Sequence, residues 1–114
     1  MITYTWKISK LDCRPSVDSL TNVVTGVYWR YNGVNDNGTS NEIEGLTGVG
    51  QPNPEEFTDF DNLTLEIVSG WLESIYSKKV EGSEFTELET IQNGIATRIE
   101  LIEHPKNILL DPPF

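Results

Sequence analysis

The chain reads as an α+β domain: a small antiparallel β-sheet from the N-terminal half, two C-terminal helices packed on one of its faces, and an extended C-terminal arm. Three observations predict this. Apolar residues in the first half alternate with period two, and those in the second half recur at helical spacing. The last residues then combine apolar side chains with Pro112-Pro113. At 114 residues the length is that of one domain, here residues 1–104 with an arm over 105–114.

In residues 2–11, Ile2, Tyr4, Trp6 and Ile8 alternate with Thr3, Thr5, Lys7 and Ser9, which describes a strand with one buried face. Residues 12–19 carry Pro15 and several turn formers, so the strand is expected to stop there. Residues 23–31 predict the main strand. Val23, Val27, Trp29 and Tyr31 share one side while Val24 and Tyr28 lie on the other, so it is expected at the centre and covered on both faces, at least in part. Asn32-Gly33 and Asn37-Gly38 mark turns, leading to a weaker strand near residues 42–49 interrupted by Gly45 and Gly48. Residues 50–54 read as a linker, because Pro52 and Pro54 cannot donate to a ladder.

Ile67, Val68, Trp71, Leu72, Ile75 and Tyr76 then trace one face of a first helix. Thr64 is its expected N-cap, with Glu66 suiting the positive end of the dipole and Lys78 and Lys79 the negative end. A second helix is expected after Gly82-Ser83, capped by Ser83. Its stripe is Phe85, Leu88, Ile91, Ile95, Ile99 and Ile102, and Gly94 within it predicts close packing on a neighbour. His104-Pro105 ends this helix, since the residue before a proline is driven out of the α region.

The formal charge of −10, from 18 acids and 8 bases, disfavours direct binding to nucleic acid or to an anionic membrane. Cys13 is the only cysteine, so no intramolecular disulfide can form and a reducing compartment is expected. No secretory signal is read at the N-terminus, and Asn37-Gly38-Thr39 and Asn62-Leu63-Thr64 are read as chance sequons.

Candidate chemistry is sparse. His104 reads as a helix end and Cys13 as a half-buried structural residue. One Cys and one His do not suggest zinc. In an EF-hand alignment of the Asn-rich loop, Asn35, Asn37 and Glu44 fall at ligand positions. Gly33 falls at the first position and has no side chain, so a turn is the better reading. Glu55, Glu56, Asp59 and Asp61 form a solvated acidic cluster, and Trp6, Trp29 and Trp71 lie on faces expected to be buried. No catalytic, metal or cofactor site is therefore assigned.

The run Thr5-Trp6-Lys7-Ile8, Leu11-Asp12-Cys13, Pro15, Asn22-Val23-Val24 and Val27-Tyr28-Trp29 resembles a small uncharacterised protein family of tailed bacteriophages of marine bacteria and cyanobacteria. The likeness continues through Leu63-Thr64, Ile67, Val68, Gly70 and Trp71 to the proline-rich end with its terminal aromatic. Leu65 departs from it, standing at a position that is usually acidic. The resemblance implies a phage origin, with residence in the virion or the cytoplasm of the infected host, and implies no activity or binding residue.

Two functions fit. The first is a non-enzymatic virion component, such as a decoration, neck or tail accessory, bound to other phage proteins or to itself. Ile108, Leu109, Leu110 and Phe114 of the arm are then the partner-binding residues. The second is an acidic effector that binds a basic host protein, with DNA mimicry as one route, through Glu84, Glu87, Glu89, Glu100 and Glu103.

Overall fold

The structure, a computed structural model, describes residues 1–50 and 57–114. Strands β1 (Thr3–Val17), β2 (Leu20–Val34) and β3 (Ser40–Gly48) are followed by a 3-10 turn (Phe60–Asn62) and helices α1 (Leu65–Ile75) and α2 (Glu87–Glu103). The strands form an antiparallel meander in the order β1-β2-β3. Val68 and Leu72 of α1 and Ile95 and Ile99 of α2 join Trp6, Val24, Val27, Trp29 and Tyr31 in one core, so both helices cover the same face.

β1 does not stop at residue 12. It runs through Pro15 to Val17 and turns at Asp18, whose φ of 53° is a left-handed value that Asp tolerates. Pro15 is accommodated because β1 is an edge strand with β2 as its one partner among the described residues, and the missing N–H can face outward. Two bulges explain how one strand stays in register so long. Ile8 faces Trp29 and Lys10 faces Tyr28, which leaves Ser9 extra on β1. Asp12 faces Gly26 and Cys13 faces Val24, which leaves Thr25 extra on β2. The slips cancel. Between them, the core-facing positions of β1 pass from Tyr4, Trp6 and Ile8 to Leu11 and Cys13.

β2 is central, but among the described residues no helix covers its second face. Tyr28, Arg30, Glu42, Glu44 and Leu46 are exposed there. Arg30 bridges to Glu44 at 3.4 Å and to Glu42 at 4.0 Å, and Lys7 reaches Glu42 at 3.7 Å. Asn32-Gly33 is not a turn either; both residues belong to β2. A Cβ on Gly33 would lie 2.6 Å from Ile95 Cγ2, so this glycine lets α2 approach the sheet. Gly45, which weakens β3 by propensity, serves likewise: a Cβ there would meet the Trp29 ring at 2.7 Å.

Thr64 caps α1 by accepting from the Ile67 N–H. Lys78 and Lys79 lie beyond the end of α1 at Ile75 and contribute nothing to its last turn. The second cap is Thr86, not Ser83. Thr86 accepts from the Glu89 N–H at 3.1 Å while the Glu89 carboxylate accepts from the Thr86 N–H at 3.0 Å, a reciprocal capping box. Ser83 instead accepts from the Phe85 N–H in the preceding turn, which leaves Phe85 outside the helix and exposed. Gly94 does not mark a close approach, since nothing lies within 4 Å of where its Cβ would stand. Pro52 and Pro54 of the expected linker lie outside the described residues.

Candidate functional site

The C-terminal arm emerges from a firmly anchored helix end. Glu103 Oε1 accepts from Asn35 Nδ2 at 2.7 Å, Thr39 Oγ1 at 2.8 Å and Asn37 Nδ2 at 3.2 Å, tying α2 to the β2–β3 turn. These three donors hold the Glu103 carboxyl below the usual carboxylate range. Asn35 shapes the same turn, its Oδ1 accepting from the Asn37 and Thr39 N–H groups. The amides that fall at ligand positions in the EF-hand alignment thus serve the turn and the clamp. Among the described residues no group of three or more His, Cys, Asp or Glu side chains could hold a metal ion.

His104 caps α2, and beyond it the chain forms no helix or strand. Ile108 and Leu110 are 66% and 80% exposed, and Leu109 and Phe114 are fully exposed. Prolines 105, 112 and 113 bar the segment from helix, while its apolar side chains gain nothing from water.

A second apolar feature lies beside β1. Between β1 and the start of α1 runs an open groove of about 410 Å³, lined by Trp6, Ile8, Leu11, Leu63, Leu65 and Val68, with Lys7 and Thr64 as its polar members. The bulge at Ser9 falls in sequence between two of its lining residues, Ile8 and Leu11. Leu65, at the first position of α1, is 56% exposed. The groove was not evident from periodicity, because it joins segments more than fifty residues apart. Its one sequence signal is the break from even to odd apolar positions between Ile8 and Leu11.

The remaining candidates are dispersed. Cys13 pairs with Val24, whereas the α2 end that carries His104 is tied to the turn at Asn35. The eleven strand residues from Val24 to Val34 separate these ends by about 35 Å. Burial, and then Asp12, push the Cys13 thiol pKa up, opposite to what an activated nucleophile requires. Trp6 and Trp29 are core residues and Trp71 is half-buried against the core. Asp59 and Asp61 are exposed at the 3-10 turn; Glu55 and Glu56 lie outside the described residues. Of the five carboxylates expected on the second helix, Glu84 lies before α2; it, Glu87 and Glu100 are exposed, while Glu89 and Glu103 are engaged in the cap and the clamp. No described helix is long and apolar enough to cross a membrane.

The family model described as a domain of unknown function, DUF7936, matches residues 1–109. No curated protein and no solved structure matches the chain.

Proposed function

From the premise that this chain belongs to the DUF7936 family, domains of unknown function, we propose that it is a non-enzymatic structural or interaction protein of a tailed bacteriophage particle that docks through its C-terminal arm. The observation that carries the reading is the exposure of Ile108, Leu109, Leu110 and Phe114, none of which joins the core among the described residues. Four such side chains are each worth about 1.5–3 kcal/mol when fully buried, so an arm of this composition favours a hydrophobic surface over water. Its prolines reduce the conformational freedom lost on docking. The phage assignment is supported by the resemblance carried by Thr5-Trp6-Lys7-Ile8 and the later motifs. The acidic-effector reading draws less support, because Glu89 and Glu103 are already committed to intrachain contacts.

Mass spectrometry of purified particles tests this function. Stoichiometric presence of the full chain is expected, and its loss from particles when residues 106–114 are deleted. Clean absence of the full chain from particles would sink the reading and leave the host-protein effector.

A further inference from the structure

We propose that the groove beside β1 receives the C-terminal arm of a second copy of this chain, residues 108–110 adding as a strand along the free edge of β1. The inference rests on the reading of the arm as a docking element and names its receptor.

Both halves of the contact are present on one chain. β1 is an edge strand paired with β2 alone among the described residues, so its outer N–H and C=O groups form an open template. Along this edge runs the apolar groove of Trp6, Ile8, Leu11, Leu63, Leu65 and Val68. In an added strand Ile108 and Leu110 point to one side, about 7 Å apart, and enter the groove together. Pro112 lacks an N–H and ends the ladder just after Asp111.

The charge of this edge differs from that of the rest of the chain. Two copies of net charge −10 repel in general, yet β1 carries Lys7, Lys10 and Arg14 against the single acid Asp12. Lys10 and Arg14 make no ion pair among the described residues and can meet Asp111 of the incoming arm. The arm of a single chain leaves α2 beside the turn at Asn35 and does not occupy the groove, its Ile108, Leu109, Leu110 and Phe114 standing exposed. Exchange between copies satisfies both features at once, in the manner of domain swapping.

The test is sedimentation of three proteins across micromolar to submillimolar concentration: the full chain, a deletion of residues 106–114, and Leu65→Glu. Leu65 is exposed at the first turn of α1, where a carboxylate suits the dipole, so this variant folds, as circular dichroism can verify. The full chain is expected to self-associate, and both variants to do so roughly tenfold more weakly or worse. Mixed together, the variants should form a one-to-one complex, one supplying the arm and the other the groove. A full chain that stays monomeric throughout, Leu65→Glu associating like the parent, or a mixture that remains two monomers would each overturn the proposal. If the full chain is monomeric yet deletion of the arm removes it from particles, the receptor named here is wrong and the docking function stands. If the full chain is absent from particles, the function fails whatever its self-association.

Discussion

Trp29 shows how one residue organises this core. Its ring is 5% exposed, lies across Gly45 and packs edge-on against Trp6 and Tyr76. Its indole N–H donates to Thr47 Oγ1 at 2.9 Å, and that hydroxyl lies 2.6 Å from the Tyr76 hydroxyl. Trp29→Ala removes the ring and leaves this polar pair without its donor, so a loss of about 3–5 kcal/mol is expected by chemical denaturation. The glycines divide into two kinds that composition cannot separate. Gly33 is required for space, and Gly33→Ala, driven against Ile95, should cost about 1–3 kcal/mol. Gly94 sits in a helix with open space at its Cβ position, so Gly94→Ala should raise stability by about 0.5–1 kcal/mol. Opposite signs in thermal melts check the pair. Period-two alternation was enough to place Trp29 in the core. The roles of Gly33 and Gly94 were not legible, because what stands opposite a glycine is set by tertiary packing and not by its neighbours in sequence.

At the scale of elements, the apolar stripes held only in the middle of the helices: Val68, Leu72, Ile95 and Ile99 are buried, but Ile102 is exposed and Phe85 lies outside α2. The helix ends and the β1–β2 hairpin did not follow local signals. Thr86 outcompeted Ser83 because Glu89, three residues on, completes a reciprocal box that Ser83 cannot form where it stands. The turn formers of residues 12–19 yielded to thirteen cross-strand pairings that carry β1 past Pro15 to Val17. The clamp at the other end of α2 has a pH dependence with a definite sign. Glu103 has a folded-state pKa below its ordinary value through the Asn35, Asn37 and Thr39 donors. Its contribution is therefore fully present above the ordinary carboxylate pKa and is lost as pH falls through the lower folded value. Glu103→Gln should lower the melting temperature at neutral pH, and the gap from the parent should narrow as the solution is acidified into that window. A gap that does not change with pH would show that the carboxylate charge plays no part in holding α2 to the turn.

At the scale of the whole molecule, the chain is far from a compact sphere. Its radius of gyration is 18.8 Å and its longest extent 72 Å, against about 13 Å expected for a compact domain of this length. Two features extend it: the tip of the β1–β2 hairpin, which runs beyond the end of β3, and the exposed C-terminal arm. The arm's apolar character was plain in the sequence, but its receptor was not, because the groove exists only once β1 and α1 are brought side by side. This arrangement separates the arm's role in folding from its role in assembly. Residues 105–114 are all exposed, so deleting 106–114 removes almost no buried surface from the chain itself. In dilute solution the truncated protein should melt with its parent, and its radius of gyration by X-ray scattering should fall. At high concentration the two should part. A chain that binds a second copy only when folded is stabilised by mass action, so the parent's melting temperature should climb with protein concentration. The truncated protein, lacking the arm that makes the contact, should show a flat dependence. A truncation that lowers the melting temperature equally at every concentration would instead mean that the arm folds back on its own domain in solution, and the groove of a second copy would not be its seat.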